Sequence, residues 1–177
     1  MTSTAGLVLA AGGGRRFGGP KAPVVVDGER LVDRAVRVLR EAGCDPVLVV
    51  LGAWVGEVGA DVVLNPDWAE GMGSSLRVGL RELERGDADR VVVTLVDLPG
   101  LTAAAVGRLL VVDADLAAAT YAGERGHPVL LGRGHWAGVA AAAVGDQGAR
   151  TYLAARDVVL VEVGDVASGE DLDVPPS

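Results

Sequence analysis

The sequence predicts a single-domain three-layer α/β/α sandwich around a mostly parallel, Rossmann-like sheet, and three observations carry that prediction. Its 177 residues sit near the ~150 of a common domain, so one domain spans 1–177. Half of the residues are apolar but only 3% are aromatic, so the core must be Val, Leu and Ala, which suits helices packed closely on doubly covered strands. Apolar runs of strand length also alternate with segments of helical period, the pattern of parallel strands joined by crossover helices. A domain of this size buries roughly two-thirds of its unfolded surface and needs no disulfide or metal staple.

In chain order, Gly6-Leu7-Val8-Leu9-Ala10 is an uninterrupted apolar run and reads as a buried strand. After a glycine-rich stretch, Leu31, Ala35, Val38, Leu39 and Ala42 recur at helical spacing, and Gly43 stops the helix. Pro46 introduces a strand over Val47–Leu51, Val62–Leu64 makes a short one, and Asn65-Pro66-Asp67 is a turn. Ser74 or Ser75 is expected to cap a helix carrying Leu76, Leu80 and Leu83. A buried strand over Val91–Val96 runs into Asp97-Leu98-Pro99, and Thr102 caps a helix through Leu110. Leu116–Tyr121 and Pro128–Leu131 flank a hairpin loop, Ala122–Gly126. Trp136–Val144 reads as a helix, Asp146 as the cap of another through Arg156, and Val158–Val163 as the last strand, followed by an irregular acidic tail.

Charge narrows the partners. Sixteen basic against 24 acidic residues leave a net charge of −8, so no basic stripe is available for nucleic acid. Any phosphate site must be a local concentration of cations. The single cysteine, Cys44, rules out an intrachain disulfide and fits a reducing compartment. No apolar run approaches the ~20 residues of a membrane span, and Thr2-Ser3-Thr4 is no basic signal-peptide start. A cytoplasmic protein without membrane contact is expected.

The most informative segment is Leu9-Ala10-Ala11-Gly12-Gly13-Gly14-Arg15-Arg16-Phe17-Gly18-Gly19-Pro20-Lys21. A loop after the first strand lies at the carboxyl edge of the sheet, where open α/β folds bind ligands. Glycines there let backbone N–H groups approach phosphate oxygens, and Arg16 and Lys21 add the positive charge that the chain otherwise lacks. The dinucleotide pattern G-x-G-x-x-G breaks at Phe17, and the second strand ends in Val50-Leu51-Gly52 without an acidic ribose ligand. A Walker A loop fails as well, because Lys21 stands between Pro20 and Ala22. What remains is a loop that wraps a nucleoside triphosphate in some other way.

That loop resembles the signature of the MobA-like nucleotidyltransferases, and within them it is most similar to the molybdenum cofactor cytidylyltransferases. The resemblance continues through Asn65–Leu76, Asp97-Leu98-Pro99, Gly126–Leu131, Gly145–Arg150 and Asp171-Leu172-Asp173, in family order along nearly the whole chain. It implies a sheet of the nucleotide-diphospho-sugar transferase type and transfer of CMP from CTP to molybdopterin with release of pyrophosphate. By the same resemblance, Leu9, Ala10, Ala11, Gly12, Gly13, Gly14, Arg16, Lys21, Ser74 and Ser75 hold the nucleotide. Arg16, Lys21 and Asp97 are the catalytic set, and Asp97 and Asp173 share Mg²⁺. Gly126, His127 and Pro128 lie toward the acceptor, and a molybdenum hydroxylase of the xanthine dehydrogenase type is the implied client.

Some readings stay open. On spacing alone Asp97 is a strand-ending turn residue, and Asp171-x-Asp173 a solvated acidic end. Val174 stands where the family usually has Thr, so the tail is expected to be weakly anchored. Lys21 is expected to act as a mobile point charge whose loss leaves the fold intact. Trp54, Trp68 and Trp136 read as packing residues. Ala11 favours CTP, while the GTP-using guanylyltransferases and other small-molecule NTP transferases remain alternatives. A non-catalytic cofactor-binding chaperone is a third, which would be marked by loss of Arg16, Lys21 or Asp97.

Overall fold

The computed structural model describes residues 2–176; Met1 and Ser177, the ends of the expected domain, lie outside the described residues. Nine strands and five helices of at least five residues follow one another along the described chain: β1 (Thr4–Ala10), β2 (Val25–Val26), β3 (Glu29–Arg30), α1 (Leu31–Ala42), β4 (Val47–Leu51), β5 (Asp61–Leu64), α2 (Met72–Leu83), β6 (Arg90–Leu95), α3 (Ala103–Leu110), β7 (Leu116–Tyr121), β8 (Glu124–Gly132), α4 (Trp136–Ala142), α5 (Arg150–Ala154) and β9 (Val159–Glu162). The main sheet has the order β5-β4-β1-β6-β8-β7-β9. Four of its six neighbouring pairs are parallel, and β8 alone runs antiparallel to both of its neighbours. No helix among the described residues is long and apolar enough to cross a membrane.

Both faces of the sheet are covered, as the aliphatic strands require. On β1, Val8 and Ala10 point into the core shared with α1 and α3. Ala5, Leu7 and Leu9 point into the core under α2, α4 and α5. This alternation is why β1 reads as a continuous apolar run. Chain direction makes the site: β1 leads outward through α1 to β4, whereas β6, its other neighbour, leads through α3 toward β7. The loops after β1 and β6 therefore diverge and leave a crevice at their carboxyl ends.

Four local readings need correction. The helix expected to start at Ser74 or Ser75 starts at Met72, with Gly71 (φ 115°) as its N-cap. A Cβ on Gly71 would stand 2.6 Å from the Gly145 backbone, so only glycine admits both the turn and the contact. Asp146 does not cap α5, which begins after Ala149; its carboxylate instead takes a long hydrogen bond, 3.4 Å, from the Met72 N–H. The β7–β8 connection is a two-residue turn, Ala122-Gly123, with φ of 51° and 83°, shorter than the loop to Gly126. Glu162 on β9 tightens it, accepting from the Ala122 and Gly123 N–H groups and from Thr120 Oγ1.

The fourth correction is the tail, which is firmly held. Arg108 makes two bonds to Asp165, at 2.5 and 2.7 Å. Thr102 Oγ1 donates to the Val166 carbonyl, Ser168 N–H to Gly100 and Leu172 N–H to the carbonyl of Asp97. Leu172 also packs against the core of α1 and α3.

Candidate active site

The crevice between the β1 and β6 loops is a cleft of about 460 Å³. Residues 9–14, Arg16, Lys21, Ser75, Asp97 and Asp173 from the sequence reading all line it. The glycine loop closes on itself: the N–H groups of Gly18 and Gly19 both donate to the carbonyl of Gly14, at 2.8 and 3.1 Å. Gly14 has φ 61°, and a Cβ there would fall 1.8 Å from the Gly19 oxygen, so the fold of the loop demands glycine at that point. Among the described residues Arg15 and Arg16, both exposed, form no ion pair.

Lys21, expected to be a free point charge, is paired with a carboxylate. Its Nζ lies 2.9 Å from Asp97 Oδ2, with both side chains about four-fifths buried, and 5.7 Å from the centre of the Phe17 ring. Asp97 follows β6, so the sheet holds the carboxylate while the β1 loop supplies its cation. The docked tail brings further carboxylates: Leu172 bonds the Asp97 backbone and Asp173 reaches the cleft. The Asp171 carboxyl is raised above the usual range, first by burial and then by the charges of Asp97 and Asp173, against the pull of Lys21. Negative charge thus concentrates at one end of the cleft around a single ammonium.

Not every expected residue belongs there. Ser74 is buried behind the cleft wall, its one hydroxyl proton within reach of the carbonyls of Gly71 and Asp67. Gly126, His127 and Pro128 lie on β8, outside the cleft lining. His127 is near enough to feel Asp97, but burial dominates and pushes its pKa down to about 4, so it is neutral at pH 7 and unsuited to bind phosphate by charge. Nor is the start of α2 a free anion site, since Gly73 N–H donates to the Gly145 carbonyl at 2.7 Å and Met72 N–H faces Asp146.

Sequence reasoning missed Phe17, Trp68, Met72 and Asp146, which also line the cleft. Trp68, read as packing, lies half-exposed on a short 3₁₀ turn, Trp68–Glu70. Its ring passes where a Gly13 Cβ would be, 2.8 Å away, and its own Cβ where one on Gly52 would be, at 2.7 Å. Two glycines beside a tryptophan were the available signal, though nothing local ties them together.

Comparison with known proteins finds relatives along most of the chain. A family model described as a MobA-like NTP transferase domain matches residues 6–159. The nicotine blue oxidoreductase of Paenarthrobacter nicotinovorans is 37% identical over 187 residues, covering 95% of this chain and 91% of its own. A probable molybdenum cofactor guanylyltransferase of Opitutus terrae is 36% identical over 110 residues, 61% of this chain and 54% of its own. The structure of Rv0371C from Mycobacterium tuberculosis H37Rv, a complex with manganese, superposes with a TM-score of 0.74 at 28% identity, over 92% of this chain and 89% of that one.

Proposed function

The chain belongs to the MobA-like NTP transferase family, and on that premise we propose that it transfers CMP from CTP to the terminal phosphate of molybdopterin. A phosphate oxygen of the acceptor bonds to the α-phosphorus of CTP, the bridge from the α- to the β-phosphate breaks, and the electron pair leaves on pyrophosphate. Both reactants are anions, so the protein's part is positioning and charge compensation. The observation that carries this reading is the Lys21–Asp97 pair, 2.9 Å apart, in one cleft with the Gly12–Gly14 loop.

The loop amides are suited to the β- and γ-phosphates, with Arg16 free to close over them. Lys21 offsets charge on the leaving pyrophosphate. Asp97 and Asp173 supply hard oxygen donors in the same cleft. No group of three or more His, Cys, Asp or Glu among the described residues is arranged to hold a metal alone. Two carboxylates completed by substrate phosphates is the way Mg²⁺ is usually held, and the manganese complex of the related structure supports a divalent ion of this kind. Such an ion supplies Lewis-acid stabilisation of the phosphoryl oxygens. The product, a cytosine dinucleotide of the cofactor, fits a molybdenum hydroxylase as client.

Two other readings have an observation behind them. The guanylyltransferase relative favours GTP, against which Ala11 in the loop argues for CTP. The oxidoreductase name of the relative that is 37% identical favours redox chemistry in the same cleft, although the dinucleotide pattern is broken at Phe17. Pyrophosphate release with each nucleoside triphosphate, with and without molybdopterin, tests all three. Release that requires CTP and molybdopterin is expected. Release with GTP alone among the triphosphates, or none with any of them, defeats the assignment.

A further inference from the structure

The amino end of α2 holds a hydrogen-bond donor that finds no acceptor among the described residues. Asn65, in the turn after β5, is 1% exposed, and its side-chain orientation is fixed by its partners. Its Oδ1 accepts from the Asp67 N–H at 3.0 Å, so its amide nitrogen must face the other way. From there the two amide protons go to Ser74 Oγ at 2.8 Å and Ser75 Oγ at 3.0 Å. The two serines then differ. Ser74 passes its own proton to the carbonyl of Gly71 or Asp67. Ser75, 4% exposed, has no acceptor for its proton among the described residues, yet it lines the cleft. A buried hydroxyl that already receives a bond on oxygen must direct its proton elsewhere, and a buried donor is rarely left unmatched.

The surroundings define the missing acceptor. Phosphate is disfavoured at this wall, because the Met72 and Gly73 amides are already engaged and Asp146 stands beside them. The neighbouring surface is Trp68, Ala69 and Met72, an indole, a methyl and a thioether that suit a flat, weakly hydrated ring. Resting on the nucleotide reading above, we propose that Ser75 donates its hydroxyl proton to a neutral acceptor, a carbonyl oxygen or an unprotonated ring nitrogen, on the edge of the nucleobase. Asn65 is a positioning residue in this arrangement. It touches no ligand, but by donating to one lone pair of the Ser75 oxygen it turns the hydroxyl proton away from itself and toward the cleft.

The test compares two ligands by calorimetric titration with Mg²⁺ present: the nucleoside triphosphate that the wild type binds more tightly, CTP or GTP, and inorganic tripolyphosphate, which has no base. Ser75→Ala should weaken the nucleotide about tenfold, as one desolvated hydrogen bond implies, and leave tripolyphosphate unchanged. Ser75→Thr keeps the hydroxyl and should restore most of the loss. Asn65→Asp offers the serines acceptors in place of donors, so it should turn the Ser75 proton away and match Ser75→Ala. Adding Ser75→Ala to it should then cost nothing more. Unfolding of Asn65→Asp would show in a thermal scan, and the Ser75 pair would still decide. Unchanged nucleotide affinity in Ser75→Ala, or an equal loss for tripolyphosphate, overturns the proposal and leaves the transferase reading standing. A wild type that binds neither nucleotide overturns both.

Discussion

Replacing Lys21 with alanine should damage stability and activity together, and the structure separates the two effects. The substitution leaves Asp97, 19% exposed, without its partner at 2.9 Å. Breaking a fully buried pair costs 3–5 kcal/mol, and an exposed one contributes at most about 1 kcal/mol. A pair one-fifth exposed lies between, at about 2 kcal/mol. For a domain of this size that is a fall in Tm of about 4–8 °C, contrary to the intact folding expected of a mobile loop lysine. Activity should fall by about 10², the usual effect of losing one stabiliser of developing phosphoryl or oxyanion charge. The double variant Lys21→Ala with Asp97→Asn removes the stranded carboxylate as well. It should regain most of the lost Tm while turnover stays low, because neighbouring charges are not additive. Thermal denaturation and pyrophosphate release on the four proteins of this cycle give both readouts. Wild-type turnover in Lys21→Ala would reduce Lys21 to a counter-ion of Asp97, and the glycine loop would lose its catalytic meaning.

Three further outcomes are expected. Asp97→Asn and Asp173→Asn should each raise the Mg²⁺ concentration for half-maximal pyrophosphate release; with the tail tied to the Asp97 backbone the two shifts should be comparable, and an unchanged Mg²⁺ dependence in either removes that residue from the metal site. Glu162, pushed from the usual 4.5 down to about 2 by bonds from Thr120 and the turn amides, stabilises the fold above the unfolded pKa and loses that contribution as pH falls from about 4.5 toward 2; Glu162→Gln should flatten this part of the acid denaturation curve, and an unaltered curve refutes the role. Gly14→Ala forces a Cβ against the Gly19 oxygen and should cost about 1–3 kcal/mol and most nucleotide affinity, read by thermal shift with and without CTP.

Strands and helices were legible where packing is local. The β4 run, Val47–Leu51, and the α1 stripe from Leu31 to Ala42 have the predicted bounds because aliphatic periodicity and a glycine stop (Gly43, φ 105°) specify each without distant help. Legibility failed where a remote segment supplies the partner. Asp146 looked like a cap for the helix that follows it, but the turn at Gly145 brings it to Met72, 74 residues earlier. Ser74 and Ser75 looked like caps because hydroxyls usually are; the close backbone contact of Gly71 with Gly145 moves the start of α2 back and turns both serines toward Asn65.

The tail shows how a weak pattern acquires meaning from packing. Asp171-Leu172-Asp173 by itself is an acidic end with one apolar residue. Leu172 packs against the α1–α3 core, and its N–H is spent on the carbonyl of Asp97. With the earlier tail anchors at Asp165, Val166 and Ser168, Leu172 brings its two neighbouring carboxylates toward the end of β6, where Asp97 already has a cation. The sheet, the glycine loop and the tail thereby each contribute one charged group to the same cleft: Asp97, Lys21 and Asp173. Asp171, beside them, feels the negative charges of Asp97 and Asp173 and the positive charge of Lys21. The Asp171 carboxyl is raised first by burial and then by those two negative charges, and a positive species entering the cleft beside Lys21 would offset the charge contribution.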